Sequence, residues 1–536
     1  MTDPAGNVAA RPIFEHQPAE FRYDQHGYEE LLPVGERVKM VRFTPVMAGV
    51  YHYEALRGDQ PVVEGTFTCT PSDHPGYVEI SRKDPRYFAF SNGEPYCAIG
   101  VNLCAPPTYP LPQGMDHFEV GSKSATLGLR EYRRWFRLMA ENGGNFTRIW
   151  LSNSYLQTET ENAGEVNSLP FNRLDGIIEL AREYGIRLKL CFDHFRTFGS
   201  KNPVHQTFFL RSLTDPASGQ KPASMDEWLA SPAWQDLWFQ KARAYLARYG
   251  GDPVVMAWEL WNEMDCVEGR WELVREWTRS MLARIKAVEP SQLVVQSLGS
   301  FDEERKRAVQ DDLKNMPEMD FQQVHRYLDQ GAPWQISALD PVAFSINAIQ
   351  ETRRPDRPVL LAETGAVNDR HTGPFRYYRM DERGIIFHDT TFPAFFAGGA
   401  GSGHNWWWDS YVDQKNLWSQ LKPFADLLTG VALDQEGFEL VDASNDQAWC
   451  LALKGRRTLL AWIRSRADSW HAVLRDECPP PLLGSQVFKI GLPGLLKQMS
   501  FRSFWPEEEP SLTVRVAGED LQVENLRCGA VVRVEY

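Results

Sequence analysis

Met256-Ala257-Trp258-Glu259-Leu260-Trp261 is an apolar run that ends in Asn262-Glu263. One hundred residues beyond that glutamate, Val359-Leu360-Leu361-Ala362 ends in Glu363-Thr364-Gly365. Each reads as a buried strand delivering a carboxylate at its C-terminal end, where α/β barrels keep their reactive groups. Three βα units of roughly 30 residues each fit the interval. The two glutamates are therefore expected on the fourth and seventh strands of one barrel, facing each other across its mouth.

The rest of the barrel follows outward from these two strands. Residues 96–102, 146–150 and 188–192 read as strands one to three, and 254–260 as the fourth. Residues 293–297, 321–324, 359–362 and a glycine-rich stretch into Trp406-Trp407-Trp408 complete the eight. Amphipathic helices lie between most of them. Tyr132, Trp135, Phe136 and Met139 share one face, stopped by Gly143-Gly144. An open doubly wound sheet is the rival fold, but no GxGxxG turn follows an early strand. A chain of 536 residues is too long for one core. The expectation is an α/β protein: a (β/α)8 TIM barrel over residues 81–430, with an N-terminal β-sandwich at 1–80 and a C-terminal one at 431–536.

The formal charge is −14 and no basic run tracks a phosphate backbone, which argues against nucleic acid. No apolar stretch reaches membrane-span length, and the start, Met1-Thr2-Asp3-Pro4, lacks an export signal. The eight cysteines are scattered, without a CxxC pair. A cytoplasmic protein with reduced thiols is the simplest expectation, although a trimmed secreted chain would look the same. Self-association is left open.

Either glutamate alone reads as a strand-end surface carboxylate. Two of them, each after a buried strand and at barrel spacing, point to glycoside hydrolysis. There, one carboxylic acid protonates the leaving oxygen and the other carboxylate attacks the anomeric carbon or activates water. In order along the chain, the strand-4 Asn262-Glu263 and strand-7 Glu363 resemble the clan A glycoside hydrolases, the superfamily of family 5 cellulases and mannanases. Arg148 resembles that clan's strand-2 arginine, His325 and Tyr327 its strand-6 His-x-Tyr, and Trp406-Trp407-Trp408-Asp409 its strand-8 platform. The likeness spans residues 87–430. A narrower one, from Gly76-Tyr77-Val78 to Tyr96-Cys97-Ala98-Ile99-Gly100, is to bacterial barrels with a small N-terminal domain of unknown function.

The resemblance implies a retaining reaction with Glu263 as acid/base and Glu363 as nucleophile. Arg148 and Tyr327 are expected to favour ionised Glu363, and Trp258 or Trp261 to keep Glu263 in apolar surroundings. Asn262 is expected on the sugar 2-hydroxyl. Arg148 has an alternative as an ion pair with Glu259, and His325 as a satisfied core histidine. Asp193 and His194 after strand 3, and Asn102 after strand 1, are candidate sugar contacts, each with a loop cap as the plain alternative. Strand alternation puts Trp406 and Trp408 on the sugar side and Trp407 in the core. Arginines in the 369–379 insertion are candidates for acidic sugars, a solvated loop being the plainer reading. The expected substrate is a small β-linked oligosaccharide cut from its end, with no cofactor or metal. An endo-acting glycanase is the near alternative and a non-catalytic sugar-binding barrel the remote one. A metal hydrolase using Asp193, His194 and His325 lacks a His-x-His on the first strand.

Overall fold

The computed structural model describes residues 1–107, 126–194, 213–369, 371 and 373–536. Seven parallel strands carry the barrel: β1 Gly100–Asn102, β2 Phe146–Trp150, β3 Arg187–His194, β4 Val255–Asn262, β5 Leu293–Val295, β6 Gln322–Leu328 and β7 Val359–Ala366. β1 to β5 form one parallel sheet in sequential order, and β6 pairs with β7. Every residue of β2, β3, β4, β6 and β7 is buried, because helices cover the outer face and side chains fill the inner one.

The eighth stave is not a regular ladder. Residues 400–406 are tied by several backbone bonds to each neighbour, among them His404 N to Leu361 O at 2.9 Å and Asn102 N to Asn405 O at 3.0 Å. Its glycines explain the close approach. A Cβ on Gly401 would sit 2.4 Å from the Ala98 carbonyl oxygen, and one on Gly403 2.4 Å from that of Thr390. The chain then enters a π-helical turn, Trp408–Asp413, so strand alternation stops at the tryptophans.

One strand boundary differs from the sequence expectation. Tyr96 is not in the first barrel strand. Pro95–Tyr96 pairs antiparallel with Phe88–Phe90, which pairs with Val78–Ile80, in a three-stranded sheet of its own. The strands before residue 70 pair as three separate two-stranded ladders. In the C-terminal region, a five-stranded and a three-stranded antiparallel sheet share one core, including Ile463, Phe488, Leu521, Val523 and Val532. That region docks on the barrel through buried charge: Arg464 donates to Asp389 at 2.8 Å and also pairs with Asp468, which in turn takes Arg383. Among the described residues, no helix is long and apolar enough to cross a membrane.

Candidate active site

The inner face of β2 places Arg148, fully buried, under the barrel mouth. Its Nε and Nη2 donate to the two oxygens of Glu259 on β4, both at 2.7 Å. Nη2 also reaches Asn262 Oδ1 and Nη1 reaches Glu363 Oε2, each at 2.5 Å. One planar fork thus fixes three acceptors on two strands, a geometry that a lysine could not supply. Beneath it, Lys189 on β3 lies 3.3 Å from Glu259 and donates to Gln323 of β6 at 2.5 Å. Burial alone would raise the Glu259 pKa, but Arg148 and Lys189 hold it down to about 2.

Glu363 accepts on both oxygens, since the Tyr327 hydroxyl donates to Oε1 at 2.5 Å. His325 Nδ1 lies 3.6 Å from Glu363 Oε2 and 2.9 Å from Glu263 Oε1, sitting between the two carboxylates. Burial drives His325 down to about 4 against the pull of Glu363, so the imidazole is neutral at pH 7. Oxygens of Glu263 and Glu363 and a nitrogen of His325 all lie within 4.8 Å of one another.

Glu263 has different surroundings. It follows the end of β4 in the left-handed conformation, φ 52° and ψ 58°, with its amide on Ser297 Oγ at 3.0 Å. Its carboxyl is pushed up to about 7, first by burial and then by Asp265, with His371, Lys306 and Arg148 pulling the other way. The apolar contribution does not come from Trp258 or Trp261. Trp258 stacks on Phe192 at 4.9 Å, and Trp261 packs against Trp228 and Trp277 in the helix layer.

The structure brings together Glu263, Glu363, Asn262, Arg148, His325 and Tyr327. Beside them is an aromatic wall. His194 stacks on Trp150 at 4.2 Å, Trp406 meets Trp150 at 4.7 Å, and Trp408 meets Trp406 edge-on at 5.4 Å. Trp407 packs over Gly365. Two residues do not join the site. Asp193 turns to the helix Pro232–Tyr249, accepting from Trp238 at 2.7 Å and Lys241 at 2.5 Å. Its partner in register, Trp261, turns the same way, while the next pair, His194 and Asn262, faces the mouth. Asn102 is a barrel tie. Its amide donates to the carbonyls of His404 at 2.9 Å and Ala362 at 3.2 Å, joining β1 to β7 and the eighth stave.

In the insertion after β7, Arg370 lies outside the described residues, while Arg376 bonds Gln330 and stacks on Tyr377. The residue there that acts on the site is His371, paired with Asp329 at 2.8 Å and edge-on to Tyr327 at 5.8 Å. Sequence reasoning missed His371, Trp150 and Lys189. Their partners come from other strands, and no local motif announces them.

Among the described residues, two side-chain groups have the composition of a metal site: Glu263, His325 and Glu363, and Asp302, Asp329 and His371. In the first, Arg148 and Tyr327 already donate to Glu363, and a guanidinium there opposes a second cation. The set Asp193, His194 and His325 does not converge, because Asp193 faces Lys241.

Two polar atoms on site residues have no hydrogen-bond partner among the described residues. Asn262 Nδ2 and His325 Nε2 are buried without a hydrogen-bond partner, which suits a site that a polar ligand completes.

Residues 121–383, just under half of the chain, match the family described as Cellulase (glycosyl hydrolase family 5). A mannan endo-1,4-beta-mannosidase from Oryza sativa subsp. japonica is 28% identical over 268 residues, which is 45% of this chain and 57% of that protein. Another from Arabidopsis thaliana is 25% identical over 347 residues, 59% of this chain and 74% of that one. The chain thus spans little more than half of the first relative's length. A family 5 glycoside hydrolase structure from Bacteroides vulgatus ATCC 8482 superposes with a TM-score of 0.54 at 13% identity, covering 86% of this chain and 93% of the other. That likeness is one of fold.

Proposed function

We propose that the chain, whose residues 121–383 match glycosyl hydrolase family 5, is a retaining β-glycosidase with Glu263 as acid/base and Glu363 as nucleophile. The observation that carries the reading is the pair itself: carboxylate oxygens within 4.8 Å of each other, in opposite surroundings. Retaining enzymes hold their carboxyl groups about 5–5.5 Å apart, whereas inverting ones need ~6.5–9.5 Å to admit a water. Glu363 takes two donors, from Arg148 and Tyr327; Glu263, at about 7, keeps a proton into the neutral range.

The chemistry follows from those states. Glu363 attacks the anomeric carbon while Glu263 protonates the departing oxygen. A water then enters, Glu263 takes its proton, and the glycosyl ester on Glu363 is hydrolysed with net retention. The free Nδ2 of Asn262 is the donor for the sugar 2-hydroxyl, its Oδ1 being held by Arg148. Trp406 offers the face for the ring in the cleft.

Small β-linked oligosaccharides cut from one end are the proposed substrates. The relatives' names make β-1,4-mannosides the first sugars to try, and they also favour the second reading, endo attack on a mannan. Manno-oligosaccharides and a panel of aryl β-glycosides, followed by NMR of the first-formed anomer, test the proposal. A β product that later mutarotates supports it, and an α product rules out retention. Release of single sugars marks end attack, and a spread of oligomers marks endo attack.

A further inference from the structure

The reaction just proposed moves one negative charge within a buried site. Before the first step Glu363 is the anion and Glu263 carries a proton. The step forms the Glu363 oxygen–anomeric carbon bond, breaks the glycosidic bond, and passes the Glu263 proton to the leaving oxygen. Glu363 is then a neutral ester and Glu263 the anion. Burial makes any net charge there costly in both states.

We propose that Lys189 is a positioning residue for this chemistry, its ammonium offsetting Glu259 so that Arg148 is left to offset whichever catalytic carboxylate is charged. Lys189 is fully buried on the inner face of β3, opposite Glu259 at 3.3 Å and anchored by Gln323 at 2.5 Å. Both Glu259 oxygens are taken by Arg148. Without Lys189, two buried carboxylates would share one guanidinium.

Around Lys189 and Glu259 the other titratable groups are uncharged, whereas Asp265, Lys306 and His371 bear on Glu263 from the mouth and are common to every variant tested below. Beyond β1 the Cys104 thiol, and on β3 the Cys191 thiol, are pushed up by burial. On β6, Tyr327 is pushed up and His325 is held to about 4. On the eighth stave, burial drives His404 to about 3. Burial pushes Lys189 down from its ordinary value while Glu259 pulls it up; with Lys189 protonated, charge at this level resides in Arg148 and Lys189 against Glu259 and one catalytic carboxylate, which sums to zero before and after the step.

This inference rests on the glycosidase reading, and the experiment separates the two. The Glu263 midpoint is followed by carbon-13 NMR of glutamate-labelled full-length protein, assigned with Glu263→Gln, alongside the pH profile of kcat/KM on the aryl glycoside found active. Lys189→Met should move the midpoint and the alkaline limb up by on the order of one pH unit. Glu259→Gln should move both down, and Lys189→Met with Glu259→Gln should return them to within a few tenths of wild type. Lys189→Arg, which keeps the charge, should leave them near wild type.

A structural role alone would lower activity without moving a midpoint. If Lys189→Met does not fold by circular dichroism, the downward shift in Glu259→Gln decides. An unmoved midpoint in folded Lys189→Met, or an upward shift in Glu259→Gln, overturns the inference. A wild type that hydrolyses no glycoside while its Glu263 midpoint still follows charge overturns the enzyme reading only.

Discussion

Replacing Arg148 with Met removes the cation that binds Glu259, Asn262 and Glu363 together, and the consequence for stability can be worked from Glu259. Its carboxyl is held at about 2 against an ordinary 4.5. At about 1.4 kcal/mol per pKa unit, that difference stabilises the folded state by about 3 kcal/mol at pH 7. Glu259 is depressed, so its contribution is complete above the unfolded value of 4.5 and is lost as pH falls through 2. At pH 3 about 1 kcal/mol should remain. Arg148→Met leaves Glu259 with only Lys189 and strands Glu363, so the loss at pH 7 should be about 3–5 kcal/mol. Urea unfolding followed by tryptophan fluorescence at several pH values measures the gap between the two proteins. The gap should narrow by about 2 kcal/mol between pH 7 and pH 3. A gap of under 1 kcal/mol at pH 7, or one that does not change with pH, would refute the account of Arg148 as an ionic clamp.

Four other outcomes follow from the site. Glu363→Gln should lower kcat by roughly 10⁴-fold or more while leaving sugar binding measurable by calorimetry, because the amide keeps its shape but cannot attack. The general acid works protonated, so kcat/KM should fall as pH rises through about 7, and Glu263→Gln should abolish that limb while sparing glycosides with very acidic leaving groups. Tyr327→Phe deletes a 2.5 Å hydrogen bond to Glu363, worth about 1.5–3 kcal/mol for a charged acceptor, so kcat/KM should drop about 10- to 150-fold with little change in melting temperature. Trp470→Ala in the C-terminal region should destabilise by about 3–5 kcal/mol, read by thermal unfolding, since its buried ring packs on Phe375 and Tyr377 of the loop after β7.

The barrel was legible because each strand's burial is written locally. Val359 to Ala362 and Met256 to Trp261 are apolar runs that no other element could bury on both faces. The catalytic pair was legible for the same reason, as each glutamate interrupts such a run. Asp193 misled because strand pleat alone does not say which of two adjacent polar residues, Asp193 or His194, faces the mouth. The answer lies 48 residues away, in the Lys241 that neutralises Asp193. Asn102 misled because its amide is spent on the carbonyls of the eighth stave and β7, adding to the backbone bonds that close the barrel. Lys189 was invisible because a lysine inside an apolar strand has no meaning until Glu259 is opposite. What sequence periodicity encodes is burial. The pairing of buried charges depends on contacts between strands.

The division of labour between two chemically identical side chains then has a physical origin. Glu363 lies within β7, paired opposite His325 of β6 just after a register shift, and its carboxylate meets the fork of Arg148 and the hydroxyl of Tyr327. Glu263 sits one residue beyond β4, at φ 52°, a conformation costing a non-glycine residue on the order of 1 kcal/mol or more. An ordinary extended backbone would send that side chain to the opposite side from Asn262, into the helix layer. The left-handed turn instead presents it to His325 and the mouth, out of reach of the Arg148 hydrogen bonds that its neighbour accepts. The backbone strain at Glu263 thus separates the two carboxyls into different electrostatic surroundings, which is what a double displacement requires of them. Were Asn262 and Glu263 to exchange places, the arginine would hold both carboxylates and no acid would remain.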